Sequence, residues 1–443
     1  MSLSHDPPES MSALSAVSRR RFLAAARGLA ALGLTGCSAV RLPNIVGSTH
    51  STTTASLTAV PTASVVATTI PTGVGSTAVT NRVLVVVNLD GGNDAINTIV
   101  PNVGRYHDLR PSLALDPATL LSHQSLPGHS LHPALQPLRP HLDAGTLGVV
   151  AGVGFPNPDR SHFVSTDRWD RADRMDEQLG WLGRWLDTLD LEFPPLGATA
   201  IGGDGRALVG AVRQGTAVGA IDAFAFPPVV DHADIRRLAN HEATGGDALT
   251  RAARSALLTS VGAVEDFDAI ADAARSAERG EYGAQSGLFG NGLALAAQLI
   301  KTNTDTRVVT LNVNGFDTHS AQLPQQAMLL NDLANGLSAF WAALEASGDA
   351  GRVLLITTSE FGRRAAENGS AGTDHGSAGV SLIMGHTVAG GLHGVIDLDR
   401  LVDGDLAPVV DPRCLFTAAL DWIGGDVERV LGGRWDGITV VKA

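Results

Sequence analysis

Residues 82–94 read Arg-Val-Leu-Val-Val-Val-Asn-Leu-Asp-Gly-Gly-Asn-Asp. The near-continuous apolar run ending at Leu89 is of strand length and has no polar face. It predicts a strand covered on both sides, as in a parallel sheet between helical layers. Working outward, similar runs occur at Leu147–Val153, Val308–Val313, Val353–Thr358 and Val380–Met384. Between the third and fourth of these five runs, Gln322–Ser347 carries Leu330, Leu333, Leu337, Phe340 and Leu344 at three- and four-residue spacing, the stripe of an amphipathic helix. Leu288–Ile300 and Cys414–Ile423 read as further helices. Residues 190–285, rich in Ala, Gly and Asp, read as a helical insertion in a single domain over 81–443. Strands alternating with helices imply an α/β sandwich.

The 443 residues are 44% hydrophobic and 17% charged, which excludes a fully disordered chain. Acidic residues number 45 against 32 basic ones, a formal charge of −13. A negative surface repels nucleic acid and anionic lipid, so neither is expected as a partner of the folded part. Two cysteines cannot build a disulfide framework or a thiolate-rich metal site.

Ser18-Arg-Arg-Arg-Phe-Leu23 followed by a weakly apolar stretch to Leu34 reads as a secretory signal, with Arg19-Arg20 similar to the twin-arginine type. Leu34-Thr-Gly-Cys37 reads as a lipobox in which Cys37 is acylated. The reading is therefore of a signal peptide over 1–37 and export to the periplasm or cell surface. The lipid on Cys37 is the expected membrane contact. Residues 38–80, largely Ser, Thr, Ala, Val, Gly and Pro, read as a disordered tether.

The segments at the strand ends carry the chemistry. The first run ends in Asp90-Gly-Gly-Asn-Asp94, and the second leads into Asn157-Pro-Asp-Arg-Ser-His-Phe163. The third leads into Asp317-Thr-His319 and the fourth into Ser359-Glu-Phe-Gly-Arg363. Gly372-Thr-Asp-His-Gly376 precedes the fifth. Ligands of open α/β sheets bind beyond the carboxyl ends of the strands, so these segments are expected to converge. Asp-Gly-Gly after a strand is by itself most often a turn, and Glu360 by itself also reads as a helix cap or as a partner of Arg363 or Arg364. Together the five segments offer carboxylates, imidazoles and a hydroxyl, a donor set for one or two divalent ions: Zn²⁺, Mg²⁺, Mn²⁺ or Ca²⁺. No G-x-S-x-G, H-E-x-x-H, Walker A or post-strand G-x-G-x-x-G motif occurs.

With these motifs in this order, the chain from Val83 to Trp422 resembles a bacterial family of exported proteins of unknown function within the alkaline phosphatase and sulfatase superfamily. The resemblance implies an alkaline-phosphatase-like three-layer sandwich, with a mostly parallel central sheet and helices on both faces. It also implies a metal-dependent hydrolase of phosphate or sulfate esters. Ser161 takes the place of the nucleophile. Asp317, His319 and His375 correspond to one metal's ligands, Asp90, Ser161 and Glu360 to the other's. Arg160, beside Ser161, reads either as the group that neutralises a substrate oxygen or as a surface arginine. Where superfamily members often carry Asp-His, this chain has Glu360-Phe361; the second metal loses an imidazole, and either Asp374 or Asp94 substitutes or that metal site is weak or absent. Two alternatives are a degenerate binding or surface-assembly protein that kept the fold, and a metal-free Ser-His-Asp hydrolase using Ser161.

Overall fold

The computed structural model describes residues 81–189, 193–219, 232–240, 248–277, 287–302 and 305–442. The expected signal, lipobox with Cys37 and tether to residue 80 lie outside the described residues. One eight-stranded sheet organises the molecule. Its strands are β1 (Val83–Leu89), β2 (Leu147–Val153), β3 (Ala198–Ile201), β4 (Thr216–Val218), β5 (Val308–Val313), β6 (Val353–Thr358), β7 (Gly379–Met384) and β8 (Gly391–Gly394). Across the sheet they lie in the order β8-β2-β7-β6-β1-β5-β3-β4.

β1 pairs in parallel with β5 and β6, and the parallel set continues through β3 and β4. Only β7 is reversed; it runs antiparallel to β6 and to β2, and β8 runs parallel to β2. The reversal has a structural use. Because β7 enters the sheet at the rim where the other strands leave it, the segment before it joins the segments that come after them.

The sheet is covered on both faces. Val83, Val85, Val87 and Leu89 point into one apolar cluster, while Leu84 and Val86 point into the other. The first cluster is closed by α3 (Gly287–Thr302) and α4 (Gln322–Ser347), which presents Leu330, Leu333, Leu337, Phe340 and Leu344. The second is closed by Trp181, Trp185 and α5 (Pro412–Ile423), with Phe416 and Leu420. Each fully buried Val or Leu contributes roughly 1.5–3 kcal/mol relative to exposure, so a strand apolar on both faces is driven into this middle layer. α5 starts where Asp411 caps it and Pro412 takes the first helical position, and ends at left-handed Gly424. α4 ends at Gly348, also left-handed.

The expectation of a helical insertion over 190–285 needs correction. β3 and β4 lie within it and extend the main sheet; its described helices are His232–Asn240 and α2 (Ala248–Ala277). Short, Ala- and Thr-rich strands such as these carry too few residues to show a period. Among the described residues no helix is long and apolar enough to cross a membrane.

Candidate metal centre

Five segments meet beyond one rim of the sheet. β1 runs into Gly91 and Gly92, both with positive φ. A Cβ on Gly91 would lie 2.2 Å from the backbone nitrogen of Asp317, and one on Gly92 would meet the Phe361 ring at 2.4 Å. The glycines are therefore both a turn and the condition for neighbouring segments to stack this closely. The Gly91 amide donates to Glu360 Oε1 at 2.8 Å, and Ser359 Oγ donates to the Leu89 carbonyl at 2.9 Å. These bonds lock the first segment to the one after β6.

The centre is Asp317. Its Oδ1 lies 3.0 Å from His319 Nε2 and 3.1 Å from His375 Nε2, and its Oδ2 lies 3.5 Å from His162 Nε2. His319 Nε2 and His375 Nε2 are 2.9 Å apart. His162, Asp317 and His375 each bring a ligand atom within 4.8 Å of the others. Ligand atoms on a tetrahedral ion with bonds of 2.0–2.1 Å are separated by about 3.3 Å, so the observed spacings are near those around a bound cation.

Two imidazoles have their tautomer set from behind. His375 Nδ1 donates to the Arg160 carbonyl at 2.8 Å, and His162 Nδ1 donates to Glu360 Oε1 at 2.8 Å. Each ring then turns Nε2 towards Asp317: deprotonated, it is the nitrogen a metal takes, the arrangement metal-binding histidines use, and protonated, it donates to the carboxylate. Glu360 raises the pKa of His162 through that hydrogen bond. His162 is the site residue that sequence reading missed. It lay unassigned beside Ser161, and it brings an imidazole to Glu360 where Phe361 has none. The Phe361 ring, 3% exposed, packs at 4.9 Å from the His162 ring and 4.6 Å from that of His375.

Arg363 holds the segments together. The whole residue is 1% exposed. Its guanidinium donates to the carbonyls of Gly91, Gly92, Phe316 and Thr373, and to Asp317 Oδ1 at 2.7 Å. Burial pushes the Asp317 carboxyl up, but hydrogen bonds from Arg363 and His375 outweigh it and hold the group down at about 2. The alternative pairing of Glu360 with Arg363 or Arg364 is not formed. Glu360 faces His162, and Arg364 binds the Asp403 carbonyl.

Asp90 lies on the other side of Glu360. It accepts from Asn312 at 2.7 Å, in a polar ladder that continues through Asn88 to Thr358 across the ends of β5, β1 and β6. Burial raises its carboxyl to about 6, and the charges of Glu360 and Asp204 add to the rise. Asp90 and Glu360 share a cavity of about 50 Å³ with Asp170 and Asp204, two acids the sequence reading did not select. Burial pushes Asp170 to about 7.

The remaining sequence candidates fall into place around these two halves. Ser161 is the N-cap residue of α1 (His162–Arg171), yet its side chain makes no capping bond. Ser161 Oγ has no hydrogen bond to an imidazole among the described residues, so the metal-free triad finds no support. Asp374 stands 3.6 Å from His319 Nδ1, on the side of the ring away from Asp317, with its side chain 61% exposed. Arg160 does not reach over the centre as expected, because its guanidinium holds Asp405 at 2.6 and 3.1 Å. Asp94 is no substitute ligand either: it is buried with Arg110 and caps the turn at Ile96.

Residues 232–439 match the model of a family described as Protein of unknown function (DUF1501). The matched stretch is just under half of the chain, and the description carries no function. The stretch takes in Asp317, His319, Glu360, Arg363 and His375, while Asp90 and His162 precede it. No curated protein matches the sequence. Among solved structures, a protein in the alkaline phosphatase superfamily from Vibrio parahaemolyticus aligns with 11% identity and a TM-score of 0.35, over 81% of this chain and 70% of that one. The lipoteichoic acid synthase LtaP from Listeria monocytogenes aligns with 9% identity and a TM-score of 0.27, over 75% of each chain.

Proposed function

We propose that this chain is a metal-dependent hydrolase of phosphate or sulfate esters. The observation that carries the reading is the convergence of three imidazole Nε2 atoms on the Asp317 carboxylate. His162, His319 and His375 with Asp317 would hold the ion, and an imidazole-rich set suits Zn²⁺ better than Mg²⁺ or Ca²⁺. A bound ion supplies positive charge for the ester oxygens and lowers the pKa of a nearby hydroxyl. Ser161, at the start of α1 with its hydroxyl free of the cap, is the nucleophile of this reading. Glu360 orients His162, and the Arg160 carbonyl orients His375. Asp90, whose burial disfavours its charge, is the ligand available for a second, weaker ion. Export by the twin-arginine route and anchoring through Cys37 belong to the same proposal; equal membrane retention of Cys37→Ser would remove the anchor from it.

The test combines metal analysis of protein purified from cells with hydrolysis of 4-nitrophenyl phosphate and sulfate. We expect bound zinc, lost on His162→Ala and His375→Ala. Ser161→Ala should keep the metal and lose turnover. A second reading, a binding protein that kept the fold, is favoured by one feature: Arg363 already neutralises Asp317. Protein free of metal and without turnover on either ester would establish that second reading over the first.

A further inference from the structure

A groove of about 860 Å³ opens beside the centre, and the two share a wall. Residues 156–160 line the groove and lead directly into Ser161, while the Arg160 carbonyl holds His375. Ser377, two residues beyond His375, lines it as well. An ester whose charged end lay at the histidines would therefore extend its alcohol portion here.

The lining is acceptor-rich. It carries Asp159, Asp403, Asp405 and Asp411 against the single cation Arg160. Two of the acids are already neutralised: Arg160 takes Asp405, and Arg413 takes Asp411 at 2.6 Å. Among the described residues no cation pairs with Asp159 or Asp403. Ser377, only 4% exposed, has a hydroxyl without a hydrogen-bond partner, although buried polar groups are nearly always paired. Apolar surface completes the groove, from Pro156, Pro158 and Pro408 with Val402 and Val409, which are 58% and 53% exposed.

We infer that this groove receives the alcohol portion of the ester, and that this portion is a non-anionic group bearing hydrogen-bond donors, either hydroxyls or an ammonium. The inference rests on the hydrolase reading for its substrate, but not for its geometry. A negative group would meet two uncompensated carboxylates, a repulsion of about fivefold in affinity per close charge even at the dielectric of water. Donor groups would instead satisfy Asp403, Ser377 and the Asp159 oxygen not taken by the Ser161 amide, while the carbon skeleton packs on proline and valine.

Three phosphate monoesters of similar size separate the cases: glycerol 3-phosphate, O-phosphoethanolamine and 3-phosphoglycerate. Steady-state turnover and saturation-transfer NMR binding are measured on the full metal-loaded protein. We expect kcat/KM and binding to favour the first two over 3-phosphoglycerate by about fivefold or more; their mutual ratio tells hydroxyl from ammonium. Asp403→Asn should narrow the discrimination, and Val402→Arg, at an exposed position, should abolish it. Equal handling of all three esters, or discrimination untouched by both variants, would overturn the inference while leaving the hydrolase reading in place. Selective binding lost on Val402→Arg, with no turnover of any ester, would keep the groove and remove the hydrolase.

Discussion

Asp90 and Asp317 lie just beyond the adjacent strands β1 and β5 at one rim of the sheet, and their carboxyl groups are driven in opposite directions. Burial acts on both and pushes both upwards. At Asp317 it is overcome by a buried guanidinium and by an imidazole, and the group sits at about 2. At Asp90 one amide donor opposes burial while Glu360 and Asp204 reinforce it, and the group rises to about 6. Residue type therefore does not set charge here; the partners delivered by the other strands do. One half of the rim is a formed anion surrounded by imidazoles. The other half is a carboxyl that gains from a proton or a cation.

The largest test removes the cause of that asymmetry. Arg363→Met would leave four carbonyls and Asp317 without their shared donor; a buried acceptor left unsatisfied costs about 1–3 kcal/mol, and the half-exposed Asp317 adds less. Arg363→Lys should recover little, because a point charge cannot reach the same acceptors at once. Urea denaturation reads both, and parent-like stability of either variant would show that Arg363 is no strut.

A smaller effect is expected at Asp90. Its folded pKa lies above the unfolded 3.8, so its contribution is fully present below about pH 4 and is lost as pH rises through 6. In metal-free protein Asp90→Asn should therefore stabilise at pH 7–8, on the order of 1–2 kcal/mol, with little effect at pH 4. In metal-loaded protein the same substitution should lower the midpoint. Destabilisation in both states would show that Asp90 is already paired.

The same contrast recurs between imidazoles. Glu360 raises His162, whereas buried His132 is lowered to about 4. His132 Nδ1 accepts from the Ala134 amide, and a proton there would face a donor. Its contribution is complete above pH 6.5 and is lost as pH falls towards 4. His132→Asn, which keeps a capping acceptor, should flatten that stretch of the Tm-against-pH curve; an unchanged slope would put the acid sensitivity elsewhere.

The architecture was legible where apolar periodicity is long. Gln322–Ser347 and the strands at 147, 308 and 353 fall on the expected residues. Strand direction was not, because a run apolar on both faces looks the same read either way, and β7 turned out reversed. β3, β4 and β8 were too short to register. Within the site, the segments were visible as polar clusters after strands, but pairing was not. That Glu360 would face His162 instead of Arg363, and that Arg160 would face Asp405, depends on which loops the sheet order brings side by side. No spacing in the chain encodes it.

β1 lies in the middle of the sheet, yet both strands beside it come more than two hundred residues later, starting at Val308 and Val353. At roughly 5–20 residues per second, a ribosome takes on the order of 10–50 s to supply the first of those neighbours. For that interval Val-Leu-Val-Val-Val is a sticky segment with both hydrogen-bonding edges open, the pattern most prone to pair with other chains. The yield of intact protein should thus depend on whatever shields a nascent chain, and slowing translation past residue 100 should favour inclusion bodies over soluble product.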